Sequence, residues 1–218
     1  MESNWATEHL QVIRTLMERS ALYRRALAPV MIYTGALGTI AAAAGIFARI
    51  ESPPWFIGYW MLVALAALAG VFLLARREAL KDVEPFWSPP TRRVTEALLP
   101  PLFFGFVIGI VLLFHVRSDP LALTGLRDLS VRWLPLVWVA LYGCALHAAG
   151  FFMPRGMKVF GRALVLGSSA FCASALPSLA GADKAYLVGH GTMGLFFGLA
   201  HLAYGVYLYF TEPRRNRT

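Results

Sequence analysis

The side chains best suited to hold a cofactor or a metal in this 218-residue sequence are its five histidines and two cysteines. Four of the histidines, His115, His147, His190 and His201, fall inside or at the ends of long apolar runs. Polar groups in such runs are costly in lipid and mark functional sites by default. By position along their runs, His115 and His190 could share one depth, and His147 and His201 the other. Imidazole is a common axial ligand of iron, so histidines paired at two depths point to a b-type haem. His190 and His201 are eleven residues apart, about 20° off one helix face after three turns. The other reading gives the histidines a structural task. The pair near helix ends would then be interfacial, and the inner pair would bond to Ser, Thr or backbone carbonyls of a neighbouring helix. No specific haem spacing is present, so the expectation is no cofactor, with haem b as the alternative.

Cys144 and His147 are three residues apart and share a helix face, and Cys172 lies in the middle of the next run. Thiolate and imidazole together would suit a soft metal. Cysteines in lipid also serve as small apolar fillers. Ser168, Ser169 and Ser174 could act as nucleophiles only with His147 or His201 as base. There is no phosphate-cradling glycine loop with a lysine, no H-E-x-x-H and no G-x-S-x-G. No carboxylate lies within an apolar run, so proton-coupled pumping lacks its usual carrier. No catalytic residue is assigned, and the balance leans away from an enzyme.

The glycines carry a second kind of chemistry, close approach. Gly191, Gly194, Gly198, His201 and Gly205 follow alternating steps of three and four residues. Gly105 and Gly109 form a small-xxx-small pair in another run. Such faces let helix backbones touch in lipid, within one chain or between two copies. The strings Leu102-Phe-Phe-Gly105 and Leu195-Phe-Phe-Gly198 also hint at an inverted repeat, as in some transporters.

What must position these residues is a membrane fold. The chain is 58% hydrophobic and only 15% charged, against roughly 25% charged in a soluble domain. That composition excludes a soluble enzyme domain, a disordered tail and a disulfide-framed module. Six runs are long enough to cross the hydrocarbon, at about 27–48, 55–75, 98–116, 133–153, 160–180 and 185–210. Unpaired backbone is forbidden in lipid, so the runs read as helices. The expected fold is all-α: one antiparallel bundle of six transmembrane helices over 26–218. Pro53 and Pro54 are expected to close the first loop, Pro100 and Pro101 to open the third helix, and Pro177 to kink the fifth. Trp55, Tyr59, Trp60, Trp87, Trp133 and Trp138 read as an interfacial belt.

Orientation follows from Lys and Arg. Arg49, Arg117, Arg127, Arg132 and Lys184 fall on one side, and all the other basic residues on the opposite side. The positive-inside rule puts both termini in the cytoplasm. The net charge of +8 is thus a topology signal, and no nucleic-acid partner is expected. Residues 1–25 pattern as an amphipathic helix through Leu10, Ile13, Leu16 and Met17, either an interfacial anchor or a docking helix. The first apolar run exceeds the roughly 7–15 residues of a signal-peptide core, so it reads as a retained anchor.

Glu8-His9-Leu10-Gln11-Val12-Ile13-Arg14-Thr15-Leu16-Met17-Glu18-Arg19, then Tyr23-Arg24-Arg25 and Pro29, resembles the opening of a group of bacterial multi-helix membrane proteins. The stretch Phe196 to Tyr209 is similar to their ending. The resemblance implies an integral inner-membrane protein and assigns no activity. The leading expectation is a non-enzymatic protein acting by association. It would present residues 1–25 and the basic loop Arg76–Arg93 to a cytoplasmic partner or to anionic lipid. A small-solute carrier using the glycine face of the last helix is the second expectation. Electron transfer through the histidines is the third, and a homo-oligomer is compatible with all three. Reporter fusions at the two ends should both register the cytoplasm; ends on opposite faces of the bilayer would break the topology.

Overall fold

The computed structural model describes residues 27–81, 87, 89–118, 129–174 and 185–215. The expected amphipathic segment 1–25 and Pro177 lie outside them. Every described element is helical. They are α1 (Leu27–Phe47), α2 (Pro53–Lys81), α3 (Pro89–Ser118), α4 (Leu134–Ala149), α5 (Arg155–Ser174) and α6. A wide π turn, Leu129–Trp133, leads into α4. α6 is continuous but built in three pieces: Ala185–Met193, a π-helical stretch Gly194–Leu199, and Ala200–Arg215.

Five of the six are long and apolar enough to cross a membrane. The exception is α5, which opens on Arg155, Lys158 and Arg162. Its helix begins five residues before the expected run at 160, and so takes in two more cations.

Several boundaries differ from expectation for identifiable reasons. Pro100 and Pro101 do not open α3, which already runs from Pro89. Each interior proline removes a backbone bond. The polar turns before them, with Arg92 Nε donating to Glu96 at 2.7 Å, leave the freed carbonyls within reach of water. Pro53 and Pro54 do not close a loop but start α2, where a missing N–H costs nothing. α4 ends at Ala149 rather than 153. Gly150 N–H bonds back to the Leu146 carbonyl at 2.9 Å, and the Phe151 and Phe152 amides tighten the turn. Of the tryptophans, Trp55, Trp87 and Trp133 are exposed as a belt requires. Trp60 is buried and Trp138 half-buried, because each has an N–H partner inside the fold.

α1 and α6 run antiparallel in backbone contact. Gly38 faces the Phe197 carbonyl, Thr39 faces Gly198, Ala42 faces Gly194, and Ile32 faces Gly205. A Cβ on Gly198 would stand 2.6 Å from Thr39 Oγ1 and 2.8 Å from its backbone nitrogen. Helices in lipid gain little from hydrophobicity and associate by packing, so such seams hold them together. α4 and α5 form a second seam, with Gly143 against the Gly161 carbonyl. Side-chain donors pin the other pairs. Tyr33 of α1 donates to the Ala66 carbonyl at 3.0 Å, Tyr59 of α2 to Ala41 at 2.6 Å, and Trp138 of α4 to Gly105 at 2.8 Å.

Two apolar cores result. One gathers Leu27 and Met31 with Val139, Leu146, Met157, Phe160, Leu164 and Phe196, at the end where α1 begins, here the lower end. The other gathers Ala41, Ala42, Phe56, Trp60, Val131 and Met193 at the upper end. Gly198→Ala should destabilise the protein by about 1–3 kcal/mol through overpacking. Gly191→Ala, with nothing within 4 Å, should cost nothing, and thermal melting in mild detergent reads both.

Candidate functional site: two buried imidazoles

His190 and His201 are fully buried, one in each core. The upper site begins with the way α1 ends. Arg49 adopts a left-handed conformation, φ 49°. Its N–H bonds to the Ile46 carbonyl at 3.1 Å, and the next amide, Ile50, reaches back to Gly45 at 3.0 Å. This is the paired closure that usually employs glycine. On an ordinary residue a left-handed backbone costs about 1–2 kcal/mol. The turn presents the Ile50 carbonyl to α6, where it lies 3.2 Å from His190 Nε2. From α2, Trp60 Nε1 lies 3.1 Å from His190 Nδ1. An indole N–H can only donate and a carbonyl can only accept. His190 therefore accepts at Nδ1 and carries its proton on Nε2. Phe56 meets the ring edge-on at 4.9 Å, and Gly45 lies against it so closely that no side chain would fit.

The lower site depends on the π stretch of α6. There the Ala200 amide bonds to the Leu195 carbonyl, five residues back. His201 Nδ1 lies 2.9 Å from the Phe196 carbonyl, also five residues back, and so carries the proton. Its Nε2 then accepts from the Tyr142 hydroxyl of α4 at 3.1 Å. Phe160 of α5 closes on the ring edge-on at 4.9 Å, and Phe197 stacks beside it. The two histidines hold opposite tautomers. Each spends its lone pair on a protein donor and its proton on a backbone carbonyl.

The other two histidines are placed differently. His115 is exposed and bonds to Val111 of its own helix at 2.9 Å. His147 is half-buried, with Nδ1 3.4 Å from the Lys158 carbonyl and its ring against Phe151. Cys144 is exposed on α4. The register that sets Gly143 beside Gly161 and Val165 puts Cys172 two turns further along α5. Among the described residues no three His, Cys, Asp or Glu side chains gather closely enough to hold a metal. Ser168 and Ser169 both donate to the Val165 carbonyl. Gly105 and Gly109 pack on Trp138, while Gly191 faces open space.

Sequence reasoning missed Trp60, Tyr142 and the Ile50 carbonyl. An available signal was that indole and phenol donors inside apolar runs must find acceptors. It also missed Gly35, Gly38 and Gly45, the half of the α1–α6 seam that lies on α1.

Among the described residues the lower end of the molecule carries most of the exposed charge, Arg49 being exposed at the upper end. Arg76, Arg77 and Lys81 end α2, and Arg92 and Arg93 begin α3. Arg155 and Arg162 are exposed on α5, and Lys158 Nζ sits 3.4 Å over the Phe151 ring. No family model, curated protein or solved structure matches the chain.

Nitrogen NMR of labelled histidine should show two neutral rings of opposite tautomer, His190 protonated at Nε2 and His201 at Nδ1. Trp60→Phe and Tyr142→Phe should each cost about 1 kcal/mol of stability, the usual size of a buried bond in a membrane interior. A charged ring at either position would overturn the assignment.

Proposed function

We propose that the chain is a polytopic protein of the bacterial inner membrane, with six spans and both ends in the cytoplasm, acting by association rather than by catalysis. The observation that carries this reading is unequal packing. The most apolar windows of α2 and α3 are only 11% buried, against 33% in α1, 50% in α4 and 39% in α6. Two long helices thus turn most of their surface outward from a core that is otherwise closed. Their lower ends add five exposed cations, Arg76, Arg77, Lys81, Arg92 and Arg93, of which Lys81 and Arg92 are paired with Glu78 and Glu96. With the amphipathic segment 1–25, this end fits an acidic surface on a cytoplasmic protein.

α5 supports the six-span count despite its charges. It runs antiparallel to α4 through Gly161 and Gly143, and antiparallel to α6 through Phe160 with Tyr204 and Gly167 with Phe196. The two alternative functions ask for groups that are already engaged. A solute carrier using the glycine face of α6 needs that face open, and α1 fills it. A haem needs an imidazole lone pair, and Trp60 and Tyr142 take those of His190 and His201.

Photo-cross-linkers placed at Arg77 and Arg92 in native membranes should yield one discrete protein adduct. Deleting residues 2–22, or changing Arg76, Arg77, Arg92 and Arg93 together to Gln, should reduce it severalfold. An adduct indifferent to both changes would sink the association reading. So would a Soret band in the purified protein that disappears in His201→Ala.

A further inference from the structure

We propose that the lower half of α5 binds an anionic phospholipid, with Arg155 and Arg162 holding its phosphate headgroup. The proposal rests on the six-span reading and adds a ligand to it. Contacts along α5 fix its depth. Gly161 meets the His147 backbone, and Phe160 lies against His201 and stacks on Tyr204 at 4.7 Å. Residues 160–162 are therefore level with the last two turns of α4 and with the interior of α6. Below that level α6 continues through Tyr207, Tyr209 and Phe210, all exposed. Arg162 thus lies within the apolar belt, about 10 Å above Arg155 by helix rise.

Arg162 is also on the outward face. It shares that face with Arg155, Val159 and Leu166, all of them exposed. A guanidinium turned toward hydrocarbon is costly at mid-span unless it reaches an anion or water. Side chains on a helix lean toward its N-terminus, and the N-terminus of α5 is at the lower end. Arg162 therefore leans toward the headgroup level, where Arg155 already stands.

Residues 129–174 contain no carboxylate to answer the two cations. From residue 129 to 174 the charged residues are Arg132, Arg155, Lys158 and Arg162. Among the described residues neither Arg155 nor Arg162 is in an ion pair. Lys158 is turned onto the Phe151 ring. Arginine pairs with phosphate through two parallel N–H bonds, a geometry lysine does not reproduce. The acyl chains would lie along Val159 and Leu166, with Ala163 and Ala170 leaving room between them. Exposed Phe151 and Phe152 anchor the turn at the interface beside the headgroup. Basic sites on the cytoplasmic side of helix bundles take anionic headgroups in this way.

The test uses the full chain in nanodiscs of phosphatidylcholine, with and without phosphatidylglycerol. Two quantities are read, the melting midpoint and contact with a spin-labelled anionic lipid. The anionic lipid should raise the midpoint of the parent protein. Arg162→Gln should lose most of that rise and of the label contact, Arg162→Lys should keep part, and Arg117→Gln, at the upper end of α3, should keep all. Inorganic phosphate alone should give no rise. The proposal is overturned if Arg162→Gln keeps the full rise, or if inorganic phosphate reproduces it. It is also overturned if the variant changes only the oligomeric mass, which would assign Arg162 to a protein contact. A C-terminal reporter on the outer face would remove the six-span reading itself. With both ends inside and a rise indifferent to Arg162, the lipid site alone falls.

Discussion

An imidazole shut away from water has two nitrogens to satisfy and only protein to satisfy them. In hydrocarbon the alternative is an unpaired polar atom, at a cost of several kcal/mol. His190 and His201 meet this demand with partners from four other places in the chain. The closing turn of α1 supplies a carbonyl, α2 an indole N–H, α4 a phenol, and the widened turn of α6 another carbonyl. Each partner is fixed in direction, since indole cannot accept and a carbonyl cannot donate. The rings thereby key α1, α2 and α4 to α6 at defined heights, one in each apolar core.

The glycine seam provides the distance at which those keys fit. α1 and α6 approach until backbone touches backbone, and His190 sits at the upper end of that contact on Gly45. Dispersion between close helices and hydrogen bonds of about 1 kcal/mol each are modest terms in lipid. They act together here because α6 carries both the glycine seam and the two rings. The left-handed Arg49 illustrates the balance. A strained residue is kept at the end of α1, and the turn it forms delivers the Ile50 carbonyl to His190.

The apolar runs were legible because hydropathy and length are local properties, and five of the helices have both. Boundaries were less so. Pro100 and Pro101 read as a helix start, yet water near the lower end lets α3 run through them. The glycine pattern was read with regular 3.6-residue turns, which place Gly191 with Gly194 and Gly198. The face against α1 instead follows His190, Gly194, Gly198 and Leu202, in steps of four. A helix containing wider turns has such a face, and nothing in the composition of Gly194–Leu199 announces it. The partners of the histidines were hidden for another reason. Trp60 is 130 residues from His190, and Tyr142 is 59 from His201. One sequence without its fold cannot pair them, and Trp60 in particular resembled a belt residue.

The π stretch of α6 behaves as one extra residue accommodated without shifting the helix axis. Losing one residue between 194 and 199 would restore regular winding and leave everything below facing as it does now, since the wide turns already absorb the roughly 100° that one residue adds. Gly205 would stay on α1, while His201 would lose the carbonyl five residues back that now takes its Nδ1 proton. The extra residue consequently serves the ring at 201 rather than the seam with α1. A one-codon deletion inherited here would spare the lower half of the helix and unseat a single proton, the one His201 now gives to the Phe196 carbonyl.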